Sequence, residues 1–255
     1  MGAVLMSSHF TAIGFPVREM REYWALAERA AQSGVRLPAA GGRTLVRWAP
    51  GGGPEIWAQT TDAGDVVNAT PFFATDDTYR IAVTGAGASD GEGFEGWIDG
   101  WLNPKEEDEP YSGAFPLRVD LVNYAMVQSS LRSGAVVPLR LVLILHEATL
   151  YPDARAYASV QAFSYRPPVQ SFTSSLHFGI DEPSGDADAT ALVTGYVSES
   201  QELTNPATGA TFWWIRIATT DVTLSLTADR EVLPADPRPG QVLGGSGWVL
   251  GEALP

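Results

Sequence analysis

Polar and apolar positions recur at two periods along this 255-residue chain. The period of two that marks half-buried strands outweighs the helical one. Helical spacing is clearest where Met20, Tyr23, Trp24, Ala27, Ala30 and Ala31 share a face and Arg18, Glu19, Arg21, Glu22, Glu28 and Arg29 fill the other, with Gly34 as a stop. Ahead of it, residues 9–16 read as a short apolar strand closed by Pro16. Behind it, runs at 44–49 and 55–60 flank a Pro50, Gly51, Gly52, Gly53, Pro54 turn and predict a hairpin. The expected opening is therefore a β-α-β-β unit, with further strands at 66–73 and 79–84.

Residues 94–102 fit either period, but Gly96 and Gly100 would each cost about 1 kcal/mol inside a helix, which favours a strand. The acidic stretch 105–110 reads as a loop and as the boundary between an N-terminal α+β domain, 1–110, and a β-rich domain, 111–255. Beyond it, 115–124 is β-rich, and 136–146 is so continuously apolar that it predicts a central strand buried on both faces. A helix is expected over 151–163, started by Pro152 and Asp153 and broken by Pro167 and Pro168. From 189 onward, strands at 192–197, 212–219, 222–228 and 241–250, with a turn at 205–209, predict a small β-barrel-like domain. The fold class is α+β, predominantly β.

Composition narrows the chemistry more than it identifies it. At 45% hydrophobic and 18% charged residues the whole chain should fold. Thirty acidic against 16 basic residues, a formal charge of −14, repel phosphate backbones and anionic lipid, so neither nucleic acid nor membrane is expected as a partner. The absence of cysteine excludes disulfides, thiolate metal sites and thiol nucleophiles. The first eight residues lack the pattern of a signal peptide and no stretch reaches membrane-spanning length. Cytoplasmic residence is the default expectation, and a homodimer the default assembly.

His9 on the expected first strand, the amphipathic helix after it, and Glu55 opening a strand after a glycine turn together carry a resemblance. Over the first third of the chain they resemble one module of the vicinal-oxygen-chelate superfamily, the fold of glyoxalases and extradiol dioxygenases. The resemblance implies that His9 and Glu55 are two ligands of a divalent metal ion, completed by a second module. No second β-α-β-β pattern follows, so the completing ligands are not identified. The same residues also admit a purely structural reading, His9 at a strand end and Glu55 solvated beside a turn.

Other candidate motifs are incomplete. His146–Glu147 begins like a zinc-protease helix, but Leu150 stands where the second histidine belongs; His146 is expected to end a buried strand, satisfied by a backbone group. Gly85, Gly87 and Gly91 miss the dinucleotide spacing and read as a loop, and Gly244, Gly245 and Gly247 suggest a β-bulge or a barrel corner. Asp186 and Asp188 lack the other oxygens of a calcium loop. Aromatics remain: Trp97, Trp101 and Trp214 are the candidate ligand-binding residues, with adjacent Trp213 turned to the opposite face of its strand. The C-terminal strands resemble an OB-type barrel, a fold that often presents a face to oligonucleotides or oligosaccharides; Arg216 and Arg230 are too few for a basic groove, so protein or small-ligand contact is expected instead. The leading expectation is a non-catalytic protein that binds a small molecule or a protein, with no cofactor. The alternatives are a metal-dependent enzyme using His9 and Glu55, and a structural or assembly protein.

Overall fold

The computed structural model describes residues 6–39, 44–89, 94–106, 109–160, 167–177 and 188–255. Strand predominates. Two helices open the chain, α1 (Met6–Thr11) and α2 (Met20–Ser33), followed by β1 (Val35–Pro38), β2 (Thr44–Trp48), β3 (Pro54–Thr60) and β4 (Val66–Phe73). Then come β5 (Tyr79–Ala88), β6 (Gly96–Leu102), β7 (Pro116–Leu121), the short α3 (Tyr124–Val127) and β8 (Val136–Tyr151). The chain ends with α4 (Ala154–Ser159), β9 (Ser171–Ser174), β10 (Thr190–Thr204), β11 (Thr211–Ala218), β12 (Thr223–Ala228) and β13 (Val242–Ala253).

The strand expected at 9–16 is instead helix α1 and a turn. A short apolar run cannot distinguish a strand from a buried helical turn by period alone, and here Gly14 decides. Its φ of 77° lies in the left-handed region, which costs glycine nothing. The chain doubles back so that Phe10, Ile13 and Phe15 are all buried. The opening is thus helical, with α2 and the β2–β3 hairpin where the sequence placed them. Gly34 caps α2 by giving its N–H to the Ala30 carbonyl.

Strands β1 to β4 form an antiparallel four-stranded sheet in sequence order. Helix α2 covers one face with Tyr23, Ala27, Ala30 and Ala31. The remaining strands form a nine-stranded sheet, β11-β12-β8-β5-β6-β7-β13-β10-β9, with extra pairings β8–β13 and β10–β11. Those pairings close two circuits, β8-β5-β6-β7-β13 and β8-β12-β11-β10-β13, which share the β8–β13 pair. Strand β8 thus completes the circuit that the strands of 189–255 leave open. The loop after β6 joins it to its paired neighbour β7, so this sheet runs across position 110.

Over its middle, Leu141 to Leu145, strand β8 is buried on both faces, as the apolar run predicted. Leu139, Leu141, Leu143 and Leu145 point into the core enclosed by the circuits. Val142 and Ile144 point outward, with Leu250 of β13, into a second core shared with α2 and the four-stranded sheet. The four-stranded sheet therefore lies between α2 and the outer face of the β8–β13 pair. The helix expected over 151–163 is α4, capped by Asp153, whose side chain accepts from the Ala156 N–H at 2.7 Å; residues 161–163 lie outside the described residues. The glycines expected in a loop, Gly85 and Gly87, belong to β5, where Gly87 makes room for the Trp97 ring. Gly91 lies outside the described residues.

The segment after α1 is pinned to the turn between β10 and β11. Fully buried Asn205 donates from Nδ2 to the Ile13 carbonyl at 2.9 Å and accepts the Ala207 N–H at 2.9 Å, and Thr208 donates to the Gly14 carbonyl at 2.6 Å. Replacing Asn205 with alanine is expected to cost about 2 kcal/mol, because the buried Ile13 carbonyl and the half-buried Ala207 N–H lose their partner. Urea unfolding measures it; a loss below about 0.5 kcal/mol would show that Asn205 does not hold this segment in place.

Candidate functional site

The architecture brings α1, the edge of the four-stranded sheet and the outer face of the β8–β13 pair around one cavity of about 500 Å³. Helix α1 contributes His9 and Phe10, and β3 and β4 contribute Gln59, Asn68, Thr70 and Pro71. Asp120 of β7, His146 of β8, and Trp248 and Leu250 of β13 form the opposite wall, with Glu95 beside Asn68 and with Asp188 and Thr190 also lining the space.

A β-bulge aims His146 into this space. In the β8–β13 ladder Ser246 pairs with Glu147 and Gly247 with Leu145, so His146 is the extra residue. Inward positions on β8 accordingly change from odd numbers, up to Leu145, to even ones, Ala148 and Leu150. His146 does not end a buried strand on a backbone partner, as expected. Its Nδ1 instead lies 2.8 Å from Nε2 of His9, a residue 137 positions away. The His9 ring also rests on Trp248, with centroids 4.8 Å apart. The Trp248 indole donates from Nε1 to Asp120 Oδ2 at 2.7 Å, completing the series His146, His9, Trp248, Asp120.

Burial sets the charge states. His9 is lowered to about 4, chiefly because burial disfavours the imidazolium and secondarily because His146 is adjacent. His146 is lowered by burial too, with Glu147 pulling the other way. At neutral pH both rings are therefore uncharged, and one N–H is shared between facing nitrogens. The Asp120 carboxyl is raised, mainly by burial; the Trp248 bond and Arg118 oppose this, while Asp188 and Asp99 reinforce it. On the facing wall, Glu95 receives hydrogen bonds from Asn68 Nδ2 and, at 3.5 Å, from Gln59 Nε2. Tyr23 of α2 fixes Asn68 in turn: its hydroxyl donates to Asn68 Oδ1 and accepts the Ala69 N–H at 2.8 Å.

The structure does not bring His9 and Glu55 together. Glu55 lies in the fork of Arg47, with Nε to Oε2 at 2.9 Å and Nη2 to Oε1 at 2.5 Å, and it also accepts Trp57 Nε1 at 3.1 Å. It is buried and does not line the cavity that holds His9. The physical reason is the helical opening: His9 sits on α1 above β8 and β13, while Glu55 alternates on β3 towards Arg47 and Glu252. Among the described residues no group of three His, Cys, Asp or Glu side chains is placed to hold a metal ion. Asp188 lines the cavity; Asp186 lies outside the described residues.

The three candidate tryptophans do not form one platform either. Trp97 lies under the Arg118 guanidinium, 3.9 Å from its centroid, and Arg118 is itself held by Asp99. Trp101 meets Tyr111 edge to face. Trp214 gives its N–H to Ser225 at 3.3 Å and borders a separate cavity with Arg216 and Asp77, while Trp213 faces the inner core. The opposed faces of Trp213 and Trp214 agree with the sequence reading. Asp120, Glu95 and Asn68 had not been singled out. Asp120 carried one usable signal, a lone carboxylate in the strand pattern Leu117, Arg118, Val119, Asp120, Leu121.

Compared with protein-family models, with curated proteins and with solved structures, the chain matches none. Among the described residues no helix is long and apolar enough to cross a membrane.

Proposed function

We propose that this chain is a small-molecule-binding protein whose ligand occupies the cavity beneath α1. The observation that carries the reading is the convergence of His9, His146, Trp248 and Asp120, drawn from four separate elements, on a space of about 500 Å³. Ligand sites are concave, largely apolar, and carry a few fixed polar groups. Phe10, Pro71, Val122 and Leu250 supply the apolar wall here. The paired imidazoles and the oriented carboxylates supply directional recognition without a complete catalytic arrangement among the described residues. We read the circuit β8-β12-β11-β10-β13 as the barrel-like unit expected of the C-terminal strands, and as the rigid support behind His146 and Trp248.

A fragment screen followed by ¹⁵N NMR tests the reading through the Trp248 indole N–H. At least one fragment is expected to shift that signal saturably, and Thr70→Trp, which fills the cavity from β4, is expected to abolish the effect. A screen with no saturable shift, or identical shifts in the filled variant, would overturn it.

A further inference from the structure

The cavity also specifies the charge of what it takes. We propose that its ligand is an organic cation, an amine or a related nitrogen base, whose ammonium group is received between the Asp120 and Glu95 carboxylates. This deepens the small-molecule reading and rests on it.

The inventory of the whole lining carries the argument. Three carboxylates, Glu95, Asp120 and Asp188, border the space, and no lysine or arginine does so among the described lining residues. Its two histidines are neutral at physiological pH and add no positive charge, and Arg118, the nearest cation to Asp120, is engaged by Asp99 and does not line the space. A carboxylate ligand would meet like charge in a partly dehydrated space, which costs binding energy. A neutral apolar ligand would strip water from the carboxylates and give nothing in return. An ammonium group returns charge-assisted hydrogen bonds, stronger than neutral ones.

The carboxylates are also held in place from behind. Glu95 is fixed by Asn68 and Gln59, with Asn68 fixed by Tyr23, and Asp120 is fixed by the Trp248 indole. These supports come from α2, β3, β4 and β13, so both receiving groups are set before any ligand arrives, which lowers the ordering cost of binding. The volume of about 500 Å³ and the apolar wall of Phe10, Pro71 and Leu250 suit the carbon skeleton of an organic base. A bare metal ion would leave that wall unused, and among the described residues no three ligating side chains converge on one point. The excess of acidic residues over the whole chain, −14 formal charges, draws cations toward the opening at long range.

Benzylammonium, benzyl alcohol and benzoate share one ring and differ in charge, so they serve as probes. Titrated into the full chain at low ionic strength and followed at the Trp248 indole N–H, benzylammonium is expected to bind at least about tenfold more tightly than either of the others. Asp120→Asn is expected to remove about tenfold of that affinity. Asp188→Asn, at an exposed position with little bearing on folding, is expected to weaken it less and to reduce its salt dependence. Equal or tighter binding of benzyl alcohol or benzoate would overturn the cation assignment while leaving the cavity a binding site. So would benzylammonium affinity unchanged in both variants. Zinc binding that requires His9 and His146 and displaces benzylammonium at equal concentration would replace the organic cation with an inorganic one. Silence from all probes, together with a fragment screen that finds nothing, would remove the cavity reading itself.

Discussion

Glu55→Ala is expected to destabilise the protein by about 3 kcal/mol without changing how the cavity binds its probes. The Glu55 side chain is 4% exposed and sits against an Arg47 side chain that is 29% exposed. Burial pushes the Glu55 carboxyl upward, while the Arg47 fork and the Trp57 N–H pull it back down. Removing the carboxylate leaves the guanidinium, which also lies over the Trp57 ring, held by Glu252 at 3.3 Å. Breaking one side of a buried pair costs about 3 to 5 kcal/mol, and the partial exposure of Arg47 places this case at the lower end. Replacing both partners, with Arg47→Met and Glu55→Leu, is expected to cost much less, since buried Glu252 keeps Arg140 at 2.9 Å and no charge is then stranded. Urea unfolding of the two single variants and the double variant forms the cycle. A Glu55→Ala chain as stable as the parent would show that the fork contributes nothing; altered probe binding would tie Glu55 to the site after all.

Acid is expected to weaken the fold through His9. In the folded chain this imidazole titrates at about 4, against 6.5 for the ordinary group. Between those values the unfolded chain binds a proton that the folded chain refuses, so stability is complete above pH 6.5 and falls as pH drops towards 4. At about 1.4 kcal/mol for each pH unit of that span, His9 alone accounts for a loss of about 3 kcal/mol. His146 is shifted in the same direction and adds to the fall. The Asp120 and Glu55 carboxyls are raised, so their contribution has the opposite sign: they favour the folded state as pH falls into the carboxyl range. The steepest decline therefore lies above that range, between about pH 5 and 6.5. Urea midpoints measured across it should fall in the parent and flatten in His9→Gln. Parallel declines in the two chains would mean that the imidazole pair does not govern acid stability.

How much of this was legible in sequence depends on the range over which each feature is encoded. Helix α2 and the β2–β3 hairpin were readable because period, cap and turn residues lie within a few positions of one another. The double burial at the middle of β8 was readable because the five apolar residues from Leu141 to Leu145 leave no polar face. Helix α1 was not: Phe10, Ile13 and Phe15 are apolar whichever way the chain runs, and the φ of 77° that decides the matter belongs to Gly14. The site was legible only in fragments. His9 was a candidate, but with the wrong partner, because nothing near residue 9 records that a bulge some 137 positions later will turn His146 toward it. Trp97 and Trp101 looked available because their occupants, the Arg118 guanidinium of β7 and the Tyr111 ring of the β6–β7 connection, come from outside their own strand.

The β8–β13 pair is a party wall. One side carries Leu139, Leu141, Leu143 and Leu145 into the inner core, and the other carries His146 and Trp248 into the cavity. The back of the cavity therefore belongs to the most deeply knit part of the molecule and cannot loosen without loosening both circuits. Its roof, the six-residue helix α1, pairs with no strand. Phe10 is buried beneath it and Thr11 donates to Asp229, so this roof is held over the wall by side-chain contacts instead of a ladder. The two halves of the imidazole pair thus differ in kind: His146 is part of the masonry, and His9 belongs to a beam laid across it.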